Sequence, residues 1–371
     1  MILRLGLIGT GFMGKAHALA YRAAGAVFGD LPDVQLSVLC DTPAPSAQKY
    51  ARQFGFARPT DDWRALVASP DVDIVSITTP NGLHKEMALA AIAAGKHVHC
   101  EKPMALTIED AEEMEAAART AGVHTMVGYN YIHNPAVGHA RKLIADGVIG
   151  TPVHFRGWVD EDYQADPNLP WTWRARRADA GLGTLGDLGC HLVSMSQVLM
   201  GEIDSLIADT QIIHKTRPMP DGSGHGTVEN EDTASAILRY KNGAQGAMCT
   251  SRSAWGRKNK LDWEVHGTKG MITFSQERLN ELQLFTNEGP RAEQGFRTIL
   301  TGADHPPYAA FCPAPGHQLG FGDLKTIEVA NFLRSVAAGQ ETYPNFTDAL
   351  AIERVIHAID TSARDGARVS L

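Results

Sequence analysis

Three glycines, Gly9, Gly11 and Gly14, stand between a short apolar run at residues 3–8 and a stretch of small and apolar residues at 15–24. Strand, turn and helix in that order leave few folds open. The first glycine permits a tight turn, the second lets another molecule approach the backbone, and the third lets the helix pack close to the strand. The pattern then repeats, with strands expected at 34–40, 73–79, 97–100 and 124–129 and helices at 46–54, 84–94 and 108–121. Such alternation requires a parallel, doubly wound α/β sheet. Thr107 followed by Asp110 reads as a capping box with Asp in the acidic place, and Gly95 and Gly122 stand where helices end.

After Asn130 the texture changes. Strands are expected at 153–159, 205–213, 233–240, 244–251, 261–266, 270–275 and 281–286, almost without helices between them, and helices at 325–338 and 347–364 close the chain. Consecutive strands imply an α+β domain with a large, mostly antiparallel open sheet. The expected division is a Rossmann domain at 1–130 and a substrate-binding and oligomerisation domain at 131–371. An open sheet face needs covering, so a homotetramer or homodimer is expected.

A net charge of -8 without a long basic run argues against a nucleic-acid partner. The N-terminus lacks the regions of a signal peptide, and no uninterrupted apolar run of about eighteen residues follows, so no membrane association is expected. Cys40, Cys100, Cys190, Cys249 and Cys312 are scattered, with no Cys-x-x-Cys spacing. Free, buried thiols in a reducing cytoplasm, and no metal, are the expectation.

The glycine turn suits a pyrophosphate, because backbone N–H groups at a helix N-terminus favour an anion. Asp41 ends the second strand, where its carboxylate can accept from both ribose hydroxyls. A 2'-phosphate there meets repulsion on the order of 4 kcal/mol at 4 Å and an effective dielectric of about 20, which favours NAD over NADP. Thr79, Pro80, Asn81 and His84 follow the next strand, at the carboxyl edge where open α/β sheets bind ligands. Turn and capping chemistry explains them equally well.

Glu101-Lys102-Pro103 follows the fourth strand at the same edge. Pro103 biases Lys102 towards extended backbone. A lysine acting as a base near neutrality needs its pKa lowered from about 10.4 to about 7 or 8, a cost of roughly 4 kcal/mol; an exposed lysine is the alternative. Asp187 and His191 are four residues apart, so on one helix they share a face. The alternative makes Asp187 an N-cap and His191 a core residue. Tyr163, Trp173 and Arg174, with His305, Tyr308, His317 and Gln318 from a late loop, offer the paired donors, acceptors and apolar platforms that suit a polyol.

Taken together, Gly9-Thr10-Gly11-Phe12-Met13-Gly14, Thr79-Pro80-Asn81 with His84, Glu101-Lys102-Pro103 and Asp187-x-Gly-x-His191 resemble the motifs of the Gfo/Idh/MocA oxidoreductases. The resemblance runs over essentially the whole length. It implies an NAD-dependent dehydrogenase that oxidises a ring hydroxyl to a ketone or lactone. By resemblance Lys102 transfers the proton, His191 touches the reacting hydroxyl and Asp187 supports that pair. It further implies a cofactor site of Gly9, Gly11, Phe12, Met13, Gly14, Asp41, Thr79, Pro80, Asn81, His84, Glu101, Lys102 and Asn130. Lys102, Tyr163, Trp173, Arg174, Asp187, His191, His305 and His317 are left for the substrate. Residues 11–21 and 155–174 are most similar to family members acting on cyclic polyols and sugars of the scyllo-inositol, L-glucose or levoglucosan type. Two other uses of this fold stay open: a glycosidase working through transient oxidation, and a non-catalytic NAD-binding regulator.

Overall fold

The computed structural model describes residues 1–371. They form two units, Met1–Asn130 with Gly320–Glu353, and Tyr131–Leu319 with Arg354–Leu371. The return of Gly320–Glu353 to the first unit is not foreseen by a division at residue 130.

In the first unit the elements run β1 (Ile2–Ile8), α1 (Phe12–Phe28), β2 (Asp33–Cys40), α2 (Ala44–Phe54), β3 (Arg58–Thr60), α3 (Trp63–Ala68), β4 (Ile74–Ile77), α4 (His84–Ala93), β5 (His97–Cys100), α5 (Ile108–Ala121) and β6 (Thr125–Val127). All the strands are parallel, in the order β3-β2-β1-β4-β5-β6. The order reverses between β1 and β4, so the loops leaving these strands open the crevice in which such sheets bind nucleotides. Leu3, Leu5 and Leu7 of β1 share a core with Ala18, Tyr21 and Ala24 of α1 and with Val329, Phe332 and Leu333 further on. Alanines on α1 let it lie close to the sheet, and each large side chain buried there contributes roughly 1.5–3 kcal/mol. That core explains why the late segment returns: its apolar face needs the one α1 offers.

In the second unit come α6 (Pro135–Ala145), β7 (Pro152–Asp160), α7 (Arg177–Ala180), α8 (Cys190–Met200), β8 (Ile203–Gln211), β9 (Thr216–Pro218), β10 (His225–Thr227), β11 (Thr233–Tyr240), β12 (Gln245–Ser251), β13 (Lys260–Gly267), β14 (Gly270–Ser275), β15 (Glu281–Thr286) and β16 (Arg297–Leu300). After α9 (Phe321–Ala338) of the first unit, the dividing line falls within α10 (Phe346–Asp365), and β17 (Val369–Ser370) pairs with β8. Nine strands make one sheet in the order β16-β15-β14-β13-β7-β12-β11-β8-β17, antiparallel except where β7 meets β12. Along β11, Ala234, Ala236, Leu238 and Tyr240 are buried, while Ser235, Ile237 and Arg239 are exposed. The period of two gives the sheet one apolar and one open face. Gly157 of β7 lies beneath α8, where a Cβ would meet Leu192 Cδ1 at 2.7 Å, so the helix can approach the strand only at a glycine.

Cys40, Cys100 and Cys190 are buried, Cys312 is half-buried and Cys249 is exposed; all five are free. The expectation of buried thiols fails at Cys249 because alternation along β12 turns it to the open face. No helix is long and apolar enough to cross a membrane.

Candidate functional site

The glycine turn is built for close approach. Gly9 has φ +96°, open to glycine but strained for other residues, and its N–H donates to Cys40 O at 2.9 Å. A Cβ on Gly14 would stand 2.2 Å from Gly9 O, so the helix packs against the turn only without one. Gly11 has open space around it and is the N-cap of α1, with no side chain capping the helix. The first-turn N–H groups are therefore available to an anion, as a dinucleotide pyrophosphate requires. Phe12 is exposed and stacks on Phe321 at 5.4 Å; Met13 is half-buried.

Asp41 follows β2 and is held by local bonds from Thr10 Oγ1, from Ser46 Oγ at 3.0 Å and from its neighbour Thr42 N at 2.9 Å. Its carboxylate is thus oriented at the strand end where a ribose is read. Thr79, Pro80 and Asn81 follow β4. His84 is fully buried, with Nε2 3.0 Å from Thr79 O and Nδ1 2.9 Å from Pro103 O. Burial outweighs the two carbonyls and lowers its pKa, so the neutral ring donates to one of them at a time. His84 ties the loop after β4 to the loop after β5.

That second loop carries Glu101 and Lys102. Glu101 is 4% exposed; its Oε1 receives His17 Nε2 at 2.8 Å and Lys325 Nζ at 2.9 Å, and its Oε2 accepts the Lys102 N–H at 3.2 Å. Burial pushes the carboxyl up, but the Lys325 ammonium and His17 hold it well below the usual range. A Cβ on Gly128 would lie 2.5 Å from Glu101 Oε1, so the neighbouring strand end must be glycine for the carboxylate to fit. Lys102 is half-buried beside it, and Asn130 is buried at the end of the unit. None of His17, Lys325 and Glu328 belonged to the site expected from sequence. His17, three residues after Gly14, was the one available signal.

In the second unit, Asp187 lies in a single π-helical turn, Leu185–Gly189, that runs directly into α8 with His191 in its first turn. Neither residue is the N-cap of a separate helix. π turns recur at functional sites because they redirect side chains within a helix. The turn is pinned to a loop: Leu185 N–H donates to Glu231 Oε1 at 2.9 Å, Thr184 N–H to Glu231 O at 2.9 Å, and a Cβ on Gly183 would meet that same oxygen at 2.2 Å. The loop is fixed in turn by the buried pair Arg252 Nε–Asp232 Oδ1 at 2.8 Å.

Tyr163 O–H donates to Asp187 Oδ2 at 2.5 Å, a charge-assisted bond. Burial, then the Asp187 charge, raises the Tyr163 pKa well above its usual value, so the phenol stays a donor. Arg174 Nε lies 4.0 Å from the same oxygen, and its guanidinium covers the Trp173 ring at 4.5 Å. Tyr163, Trp173, Arg174 and Asp187 therefore form one polar and aromatic cluster. His191 is 5% exposed and stacks on Tyr131 at 4.4 Å, while Tyr131 Oη accepts from Asn259 Nδ2 at 3.0 Å. Tyr131, not a site residue in the sequence reading, packs its ring against His191 at an interplanar angle of 36°. His305 is engaged elsewhere, accepting from Gly302 N at 3.1 Å and lying edge-on to His139 at 4.6 Å. His317 is exposed, and its carbonyl accepts from the buried Tyr308 hydroxyl.

Comparison with known proteins agrees with this geometry. A family model described as "Oxidoreductase family, NAD-binding Rossmann fold" matches residues 3–129, and one described as "GFO/IDH/MocA C-terminal domain" matches residues 137–273. Levoglucosan dehydrogenase of Pseudarthrobacter phenanthrenivorans is 38% identical over 97% of this chain and 96% of its own length. A solved structure of levoglucosan dehydrogenase in complex with NADH and levoglucosan is 39% identical with a TM-score of 0.97, covering 100% of this chain and 99% of that one. An NAD binding oxidoreductase from Klebsiella pneumoniae is 43% identical with a TM-score of 0.96 over 100% of this chain and 99% of its own.

Proposed function

The chain belongs to the Gfo/Idh/MocA oxidoreductase family and uses NAD, and we propose that it oxidises a ring hydroxyl of a cyclic sugar or polyol, first of all of the levoglucosan type, with Lys102 as the base. The observation that carries this reading is the cluster of Tyr163, Asp187, Arg174 and Trp173, which offers a fixed acceptor, a cation and a ring face together. Hydroxyls on a ring need all three. The 38% identity to a levoglucosan dehydrogenase supports the same substrate class.

NAD, when bound, supplies the hydride acceptor. Gly9, Gly11 and the open first turn of α1 would hold its pyrophosphate and Asp41 its ribose hydroxyls, with the loop Thr79 to Asn81 beside them. Lys102 Nζ, entering as the free amine, takes the proton of the reacting hydroxyl as the carbon gives up hydride, so the alcohol becomes a carbonyl and the lysine an ammonium. Asp187, oriented by Tyr163, accepts from a substrate hydroxyl, and His191, held by Tyr131, donates to or accepts from another. His84 and Glu101 keep the backbone around Lys102 in place. The second unit assembles copies of the chain through its open sheet face as a homodimer or homotetramer.

Incubation with levoglucosan, scyllo-inositol, L-glucose and D-glucose, each with NAD and NADP, tests the reading. Net NADH formation with a cyclic sugar or polyol is expected. A glycosidase would release a sugar without net NADH, and a regulator would bind NADH without turnover; either result refutes the proposal.

A further inference from the structure

Lys325 is fully buried on α9, and its ammonium donates to Glu101 Oε1 at 2.9 Å and to Glu328 Oε1 at 2.7 Å. Around this centre, His17 Nδ1 meets Ser76 Oγ at 2.8 Å, His99 Nε2 meets Glu328 Oε1 at 2.9 Å, and Tyr21 Oη meets His99 Nδ1 at 3.0 Å. Ligand atoms of His17, His99 and Glu328 lie within 4.8 Å of one another, but the Lys325 ammonium already supplies the cation at that carboxylate.

Stability alone does not account for such a network. Replacing a buried ion pair by apolar residues of similar volume is often neutral or stabilising. One ammonium here bridges two buried carboxyl groups. What sets it apart is where it ends: Glu101 holds Lys325 with one oxygen and the Lys102 N–H with the other. On the far side of Pro103, Glu353 Oε1 accepts the Met104 N–H at 2.8 Å. The backbone on both sides of the Lys102–Pro103 peptide is thereby fixed by buried carboxyl groups, and the one at Glu101 is held by an ammonium.

We propose that Lys325 is a positioning residue for the reaction: acting through Glu101, it fixes the backbone from which Lys102 projects and keeps Glu101 an ionised acceptor for the Lys102 N–H. The inference rests on the reading of Lys102 as the proton acceptor. Facing or flanking Glu101 are His17 from α1, His84 from α4, His99 and Cys100 from β5, Lys102 itself, and Lys325 and Glu328 from α9; Glu353 faces Cys100 from α10. Of these, Lys325 and His17 hold the carboxyl down against its burial. His17 is kept neutral, lowered to about 4 mainly by burial, so Lys325 supplies the fixed positive charge. Without it, Glu101 takes up a proton at higher pH, and activity is lost as pH falls through that raised value.

The test compares Lys325→Met, Glu328→Gln, the double variant K325M/E328Q and Lys102→Met by thermal melting, NADH binding followed by fluorescence, and kcat against pH. The double variant removes the ammonium together with one of the two carboxylates it bridges. K325M and the double variant should bind NADH within about threefold of the parent, lose about tenfold or more of kcat near pH 6 and recover towards pH 9. E328Q, in which the Lys325–Glu101 bond survives, should keep the parental acid limb, and K102M should lose kcat at every pH. An unshifted acid limb in folded K325M beside an inactive K102M overturns the role of Lys325 alone. A fully active K102M overturns the base assignment and this inference with it. Failure of both Lys325 variants to fold, with E328Q folded, makes Lys325 a folding residue and also overturns the proposal.

Discussion

Tyr163→Phe removes one hydroxyl and leaves the ring. The lost bond is the 2.5 Å donation to Asp187 Oδ2. A hydrogen bond to a charged group contributes about 1.5–3 kcal/mol. The Asp187 side chain is 31% exposed, so water replaces part of that, which brings the expected loss to the lower end. A loss of ~1–2 kcal/mol corresponds to a fall of ~5- to 30-fold in kcat/KM at about 1.4 kcal/mol per tenfold. Tyr163 belongs to the second unit and the glycine turn to the first, so NADH affinity should stay within about twofold of the parent while sugar turnover falls. The assay is initial-rate NADH formation at saturating NAD over a range of sugar concentrations, with NADH binding measured separately by fluorescence. A kcat/KM within about twofold of the parent would show that the Tyr163–Asp187 bond orients nothing the reaction uses. Loss of NADH binding instead would refute the assignment of this cluster to the substrate.

Two further substitutions separate the cofactor account from the stability account. Asp41→Ala should raise NADP use relative to NAD by about tenfold or more, since the repulsion of a 2'-phosphate is on the order of a few kcal/mol beside this half-buried carboxylate; an unchanged ratio in coupled rate assays would remove Asp41 from the ribose site. Glu353→Gln tests the buried carboxyl on α10, whose pKa burial raises to about 8. A carboxyl with a raised folded-state pKa binds more protons folded than unfolded, so its contribution is fully present below the unfolded value near 4.5 and is lost as pH rises through about 8. Between pH 5 and 8 the Tm of the parent should therefore fall relative to E353Q; parallel Tm curves would show that Glu353 is ionised throughout.

The first unit was legible wherever local chemistry decides the outcome. Gly9, Gly11 and Gly14 mark a turn by conformational freedom and close packing, Thr107 caps α5 by accepting from Asp110 N, and β1, β2, β4, β5 and β6 fall on or near the expected segments, whereas the three-residue β3 was not foreseen. Glu101, Lys102, Asp187 and Tyr163 were singled out as candidates by their place after strands and glycines and by the resemblance of their motifs. The interactions that hold them were not. Lys325 sits on an amphipathic helix, where sequence suggests a solvated charge, and only the return of α9 onto α1 buries it against Glu101. Tyr131 reads as a loop aromatic until it stacks on His191. The π turn at Leu185–Gly189 has no periodicity of its own, and its cause is Glu231, 46 residues from Leu185. α6 was missed although Asn134 caps it through Ala136 N and Pro135 opens it; the face it buries carries only Pro135, Ala136, Val137 and Ala140.

The central claim is that Lys102 accepts the hydroxyl proton. Single-turnover hydride transfer, followed as NADH absorbance after mixing a large excess of enzyme–NAD with levoglucosan or whichever sugar turns over, isolates that step from release. In Lys102→Met the transfer rate should fall by at least about 100-fold, the lower range for losing a positioned base, while NADH still binds. Transfer at near the parental rate in a folded K102M that binds NADH would contradict the account.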